Sequence, residues 1–189
     1  MVYPDRPKTP AAKVNMMNNR ILVTYASRAG STAGVAEAIG KSLLEGGAQV
    51  DVLPMNNVTD LAPYRAVVAG SAIRGQQWLP EAMQFMGTHQ AELASKPFAA
   101  FMVCITLSMP NSGQYLQGLK GWMRPVRDLV VPLSEGYFAG ALDFSRLPFS
   151  FNVLLMRLVV LLGIWKAGDH RDWNAIRLWA ESLRPRLMG

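Results

Sequence analysis

The 189-residue chain has one cysteine, Cys104, and two histidines, His89 and His170. A lone cysteine excludes a disulfide framework and a cysteine-based metal centre. Its neighbours, "FAAFMVC", read as a core strand, so Cys104 is expected to be a structural thiol rather than a reactive one. The histidines lie far apart without helical ligand spacing; both are expected at the surface, with no metal site. Acidic residues are scarce, 13 against 19 Lys and Arg, which leaves a net charge of +6. The densest basic groups, "RPVR" and "RPRL", are not interleaved with stacking aromatics, which argues against nucleic-acid binding. An anionic cofactor, lipid headgroups or solubility account better for the surplus. The opening "MVYPDRPKTPAAKVNMMNN" has no continuous apolar h-region, so residues 1–19 read as a flexible tail and the chain as cytoplasmic. Nucleotide fingerprints are missing too. No G-x-G-x-x-G follows the first strand, and "GVAEAIGKS" carries Val35 where a Walker A loop needs glycine. The first strand does not end in acidic residues, which argues against a phospho-acceptor receiver domain.

Half of the residues are hydrophobic, enough to give one domain over 20–189 a full core. The nearly continuous apolar runs "ILVTYA", "AVVAGS" and "FAAFMV" mark strands covered on both faces. Strands are expected at Arg20–Ala26, Gln49–Pro54, Ala66–Ser71, Phe98–Cys104 and Tyr137–Leu142. Between them lie helical patterns. Thr32–Glu45 places Val35, Ile39 and Leu43 on one stripe and stops at Gly46-Gly47. "LPEAMQFMGTHQAELAS" follows the third strand with Pro80 in its first turn. "DWNAIRLWAESL" closes the chain, with Asp172 as N-cap and Ile176, Trp179, Ala180 and Leu183 facing inward. Strands alternating with helices predict an α/β fold with a doubly wound parallel sheet.

Ligands of such sheets sit at the carboxyl ends of the strands. The loops there read "SRAGST", "AIRGQQW" and "ITLSMPNSG". The first joins a strand to a helix through one glycine and three hydroxyls. It suits a phosphate, held by free N–H groups at the positive end of the helix dipole. It equally suits an ordinary helix start with Ser31 or Thr32 as N-cap.

Three motifs carry a resemblance. Ser27-Arg28-Ala29-Gly30-Ser31-Thr32 matches the Ser/Thr-x-x-Gly-x-Thr loop of the flavodoxin-like family, and Gly70-Ser71-Ala72-Ile73-Arg74-Gly75 matches its third-strand loop. Together with "GYFAGALDF", they resemble the flavodoxin-like protoporphyrinogen oxidases, which use menaquinone as acceptor. The resemblance implies five parallel strands in the order 2-1-3-4-5, with helices on both faces, and FMN as cofactor. It places the phosphate on Ser27, Arg28, Ala29, Gly30, Ser31 and Thr32. The ring would lie between Ser71, Ala72, Ile73, Arg74 and Gly75 on one side and Thr106, Leu107 and Ser108 on the other. Trp78, or Tyr115, would stack on it; a core or rim role for Trp78 is the alternative. Gly75 would free a peptide beside the ring to reorient, or is a plain turn glycine. Arg28 and Arg74 would neutralise the phosphate or bias the ring potential, or are simply solvated.

The implied function is an FMN-dependent oxidoreductase that passes electrons from a substrate, a porphyrinogen by resemblance, to a quinone. No side-chain catalyst is required, since the flavin carries the chemistry. A flavodoxin-type electron carrier is the first alternative, although such carriers tend to be acidic and this chain has a pI near 9.8. A flavin-free interaction module is the second. The apolar stretch "LPFSFNVLLMRLVVLLGIW", 147–165, is flanked by Arg146, Lys166 and Arg171 as by headgroup anchors. It is expected to meet the inner face of the cell membrane without spanning it, or else to be a core helix or a homodimer contact.

Overall fold

The computed structural model describes residues 20–109, 112–142 and 168–189, the side chains of 112–116 and 142 excepted. Strands β1 (Arg20–Ala26), β2 (Gln49–Pro54), β3 (Ala66–Arg74), β5 (Phe98–Cys104) and β6 (Ser134–Ala139) form a parallel sheet ordered β2-β1-β3-β5-β6. Counting the long strands alone, this is the expected 2-1-3-4-5 order. A short β4 (Gln77–Trp78) turns back antiparallel on the end of β3.

Period-2 alternation assigns the two faces. Ile21, Val23, Val68, Phe101 and Val103 point to the side covered by helices α1 (Ser31–Glu45) and α6 (Trp173–Met188), through Val35, Ile39, Leu43, Ile176, Ala180 and Leu183. Asp172 caps α6 as expected, accepting the N–H groups of Asn174 and Ala175 at 3.0 and 2.9 Å. Leu22, Val67, Ala69, Ala100 and Met102 meet the opposite layer. That layer consists of α2 (Pro80–Thr88), α3 (Gln90–Ala94), α4 (Ser112–Gly121) and α5 (Arg124–Leu129). Cys104 is buried, as a structural thiol should be.

Four expectations change. The single helix expected after β3 is two, broken at His89. That residue is buried rather than exposed: its ring packs on Phe85 at 4.8 Å and Nδ1 lies 2.9 Å from Glu92. Strand β3 continues three residues past Ser71, because Gly75 (φ 57°) and Gln76 (φ 66°) form a two-residue turn of the left-handed kind that suits a hairpin. The last long strand starts at Ser134 rather than Tyr137. After Gly140 the chain leaves the sheet, and β7 (Ala141–Leu142) pairs antiparallel with β8 (Gly168–Asp169). The stretch 147–165 and the tail 1–19 lie outside the described residues. Among the described residues no helix is long and apolar enough to cross a membrane.

The early start of β6 has a local cause. Glu135 is gripped by both ends of the Arg127 guanidinium, at 2.6 and 2.7 Å, and by the Tyr137 hydroxyl. Burial pushes the Glu135 carboxyl up, but these bonds outweigh it and hold the group below its usual range. Burial, then the bond to Glu135, pushes the Tyr137 phenol up to about 12, so it stays a donor. A depressed carboxylate stabilises the fold above its unfolded pKa, and that contribution fades as pH falls through the lower folded value. Arg127→Met is therefore expected to cost ~1 kcal/mol at pH 7, less than a buried charge-assisted bond because Arg127 is one-third exposed. Urea melts should show that cost shrinking as the pH is taken below 4.

Candidate functional site

The strand order reverses between β1 and β3, and in sheets of this kind ligands bind beyond the carboxyl ends of the strands at such a point. Three segments meet there: the loop from Ser27 to Gly30, the β3–β4 hairpin, and a 3₁₀ turn at Ile105–Ser108 after β5.

In the first loop neither hydroxyl caps the helix. Gly30 takes the N-cap position in left-handed conformation (φ 83°, ψ −10°), with no side-chain cap. The Ser27 hydroxyl accepts the Gly30 N–H at 3.1 Å and shapes the turn. The first intrahelical bond is Gly34 N–H to the Gly30 carbonyl, 3.1 Å. The N–H groups of Ser31, Thr32 and Ala33 thus have no partner one turn back, at the positive end of a 15-residue helix. Ser31 is committed sideways: its Oγ accepts the Ala141 N–H at 2.8 Å, which ties the loop to the end of the sheet. Thr32 is fully buried, and its Oγ1 has no hydrogen-bond partner. A buried hydroxyl without a partner carries a desolvation penalty of ~1–3 kcal/mol unless a guest supplies an acceptor.

The second loop is more structural than its sequence suggests. Ser71 is fully buried; its Oγ accepts the Leu79 N–H (3.0 Å) and donates to the Ala72 carbonyl (2.8 Å), locking the base of the hairpin. Trp78 is 4% exposed and belongs to the buried core cluster on this face of the sheet, so it presents no open ring face for stacking. Its indole N–H, like Thr32 Oγ1, is buried without a partner. The side chain of Tyr115 lies outside the described residues. Ala72 and Ile73 are half-buried, and Gly75 stands in open space at the tip beside exposed Arg74. In the third loop Thr106, Leu107 and Ser108 are half-buried. Ser108 Oγ donates to the Ile105 carbonyl at 2.7 Å, and the Thr106 N–H points to Cys104 Sγ at 3.4 Å.

Charge around the first loop is already paired. Arg28 bridges to Glu81 at 2.9 Å, which joins the loop to the start of α2. Arg171, read from sequence as a headgroup anchor, instead turns inward: it grips Asp169 through two bonds of 2.7 Å and lies 4.3 Å above the Trp173 ring. Its own bonds hold the Asp169 carboxyl below the usual range. The contributions of Glu81, Asp169 and Ala141 had no signal in the sequence pattern, since each acts through a fold-made neighbour.

Comparison with known proteins agrees with this fold. The family model described as Flavodoxin domain matches residues 22–163. The chain belongs to the flavodoxin domain family. Among curated proteins it is 26% identical over 171 residues to protoporphyrinogen IX dehydrogenase [quinone] of Leishmania major, covering 87% of this chain and 74% of that one. Flavodoxin neighbours share the fold. Oxidised flavodoxin 2 from Bacillus cereus superposes with TM-score 0.55 at 18% identity, over 88% of this chain and 98% of its own. A Fusobacterium nucleatum flavodoxin mutant bound to flavin mononucleotide gives 0.50 at 11%, over 89% and 94%. In this flavodoxin-like chain the phosphate-type loop, the hairpin and the 3₁₀ turn are therefore the three segments to weigh as a cofactor site.

Proposed function

We propose that the protein is an FMN-dependent oxidoreductase of the protoporphyrinogen oxidase type, passing electrons from a porphyrinogen-like substrate to a quinone. The observation that carries the reading is Thr32 Oγ1, a buried unpartnered donor beside three free helix N–H groups. A phosphate completes that set. Ser31, Thr32 and the loop backbone would hold the phosphate, with Ser27 and Gly30 setting the turn. Ala72, Ile73, Arg74 and Gly75 would face the ring with Thr106, Leu107 and Ser108. The bound flavin would supply the electron transfer. Trp78, in this reading, offers its orphaned N–H from beneath the hairpin rather than a stacking face. Arg28 fixes the loop to α2, while Arg74, with no ion pair among the described residues, is the guanidinium free to act on the ring's potential.

The similarity to the Leishmania enzyme supports the substrate class, and the basic charge weighs against a carrier that docks on basic partners. A quinone acceptor needs access to lipid, the role that the apolar 147–165 sequence suits. The test is direct. Purified protein should show flavin absorption, be bleached anaerobically by protoporphyrinogen, and regain colour with quinone in liposomes. A protein that stays colourless after incubation with FMN would sink the reading; bleaching only by a protein reductant would return it to the carrier class.

Thr32→Val separates the two sides of the balance. Without ligand, replacing an unpaired hydroxyl by a methyl is expected to leave stability unchanged or slightly higher. FMN affinity should fall by ~1–3 kcal/mol, read by quenching of flavin fluorescence. Equal FMN affinity in wild type and variant would remove Thr32 from the site.

A further inference from the structure

Arg171 and its surroundings do not follow from any flavin motif. The guanidinium, 17% exposed, reaches from the loop before α6 to the first turn of α1. Its Nη1 donates to the Ser31 carbonyl at 3.4 Å. A Cβ on Gly34 would lie 2.5 Å from the same nitrogen, so the glycine is what lets the arginine seat against the helix. Asp169 clamps the other edge, and Trp173 covers the face. Ser31 is thus held from two directions, its carbonyl by Arg171 and its Oγ by the Ala141 N–H. Next door, the His170 N–H donates to the Gly140 carbonyl at 3.3 Å. Gly30, Gly34, Arg171 and Trp173 line one groove along this flank.

Paired with Asp169, Arg171 brings no net charge to the helix N-terminus; what it adds to that turn is position, at the residues whose N–H groups have no partner one turn back. A turn braced in this way suits a bound anion, and the independent sign of that anion is the orphaned Thr32 hydroxyl on the adjoining residue.

Resting on the FMN reading above, we propose that Arg171 is a positioning residue for the phosphate. Held by Asp169, it fixes the first turn of α1 so that the Ser31 and Thr32 donors converge, without touching the phosphate itself. Substitution should then act on the phosphate and leave the ring's contribution alone.

The experiment compares FMN with riboflavin, which has no phosphate, on full-length apoprotein. Arg171→Gln is expected to weaken FMN at least tenfold while riboflavin affinity stays within twofold. Arg171→Lys, which keeps the charge and loses the fork, should recover only part of the loss. Gly34→Ala reaches the same end without touching the arginine: its Cβ displaces Nη1, while the added methyl favours the helix and so protects folding. It should reproduce the FMN-selective loss, and it decides the matter alone if Arg171→Gln fails to fold. FMN-to-riboflavin affinity ratios within twofold of wild type in the variants that fold would overturn the proposal. So would parallel loss of both ligands, the mark of a merely structural brace. Wild-type protein that binds neither flavin would instead bring down the cofactor reading beneath it.

Discussion

Gly70→Ala is expected to lose ~3 kcal/mol of stability, the upper end for overpacking, because a core with no room must move a whole ring. Gly70 pairs directly with Phe101 on the neighbouring strand, and a Cβ there would lie 2.1–2.3 Å from three atoms of the Phe101 ring. The backbone cannot yield, since β3 is hydrogen-bonded on both sides, to β1 and β5. The ring cannot swing freely either: Phe138 and Trp179 stand 6.3 and 6.2 Å from it, in tilted and edge-on contact. Urea denaturation followed by circular dichroism is the measurement. Phe101→Leu in the same chain should return part of the loss by emptying the space above residue 70, although alone it is destabilising. A single Gly70→Ala variant within ~1 kcal/mol of wild type would mean that the Phe101 ring does not occupy that space. The glycine's place in a flavin-loop motif therefore has a packing explanation of its own.

The same contrast runs through the molecule. Strands β1 and β5 begin and end where the apolar runs do, because strands buried on both faces leave continuous hydrophobic sequence. Strand β6 is an edge strand, and its first residues are Ser134 and Glu135. Their place in the sheet depends on Arg127 reaching over from α5, which no local pattern announces. The hairpin was hidden for a related reason: Gln76 adopts a left-handed φ that its residue type does not advertise. The consequences reach the candidate site. Folding back of β4 buries Trp78 and consumes both ends of the Ser71 hydroxyl. Topology made the three site loops legible, since crevices form where strand order reverses. Which hydroxyl shapes a turn, which ties two loops together and which is left without a partner was not legible. Ser27, Ser31 and Thr32 lie within six residues and are in these three situations in turn.

Gly30→Val is expected to reduce FMN affinity more than a hundredfold while leaving a folded protein. Two effects combine at this position. At φ 83° a β-branched side chain is strained by ~2–3 kcal/mol, which pulls the residue out of the N-cap geometry. Relaxation would break the Gly30 N–H to Ser27 Oγ bond and turn the Ser31, Thr32 and Ala33 N–H groups away from a common point. On the FMN reading, any Cβ that remained would stand where the phosphate approaches the backbone. The fold itself rests elsewhere. Val35, Ile39 and Leu43 anchor α1 on the sheet further along, so fraying of its first turn should cost only ~1–2 kcal/mol. Gly30→Asn divides the causes, because asparagine tolerates left-handed φ but still brings a Cβ. It should fold as well as wild type and still bind FMN weakly. Apoprotein melts and flavin titrations on both variants give the answer. Affinity that falls only in proportion to lost folded protein would leave Gly30 a turn glycine and nothing more.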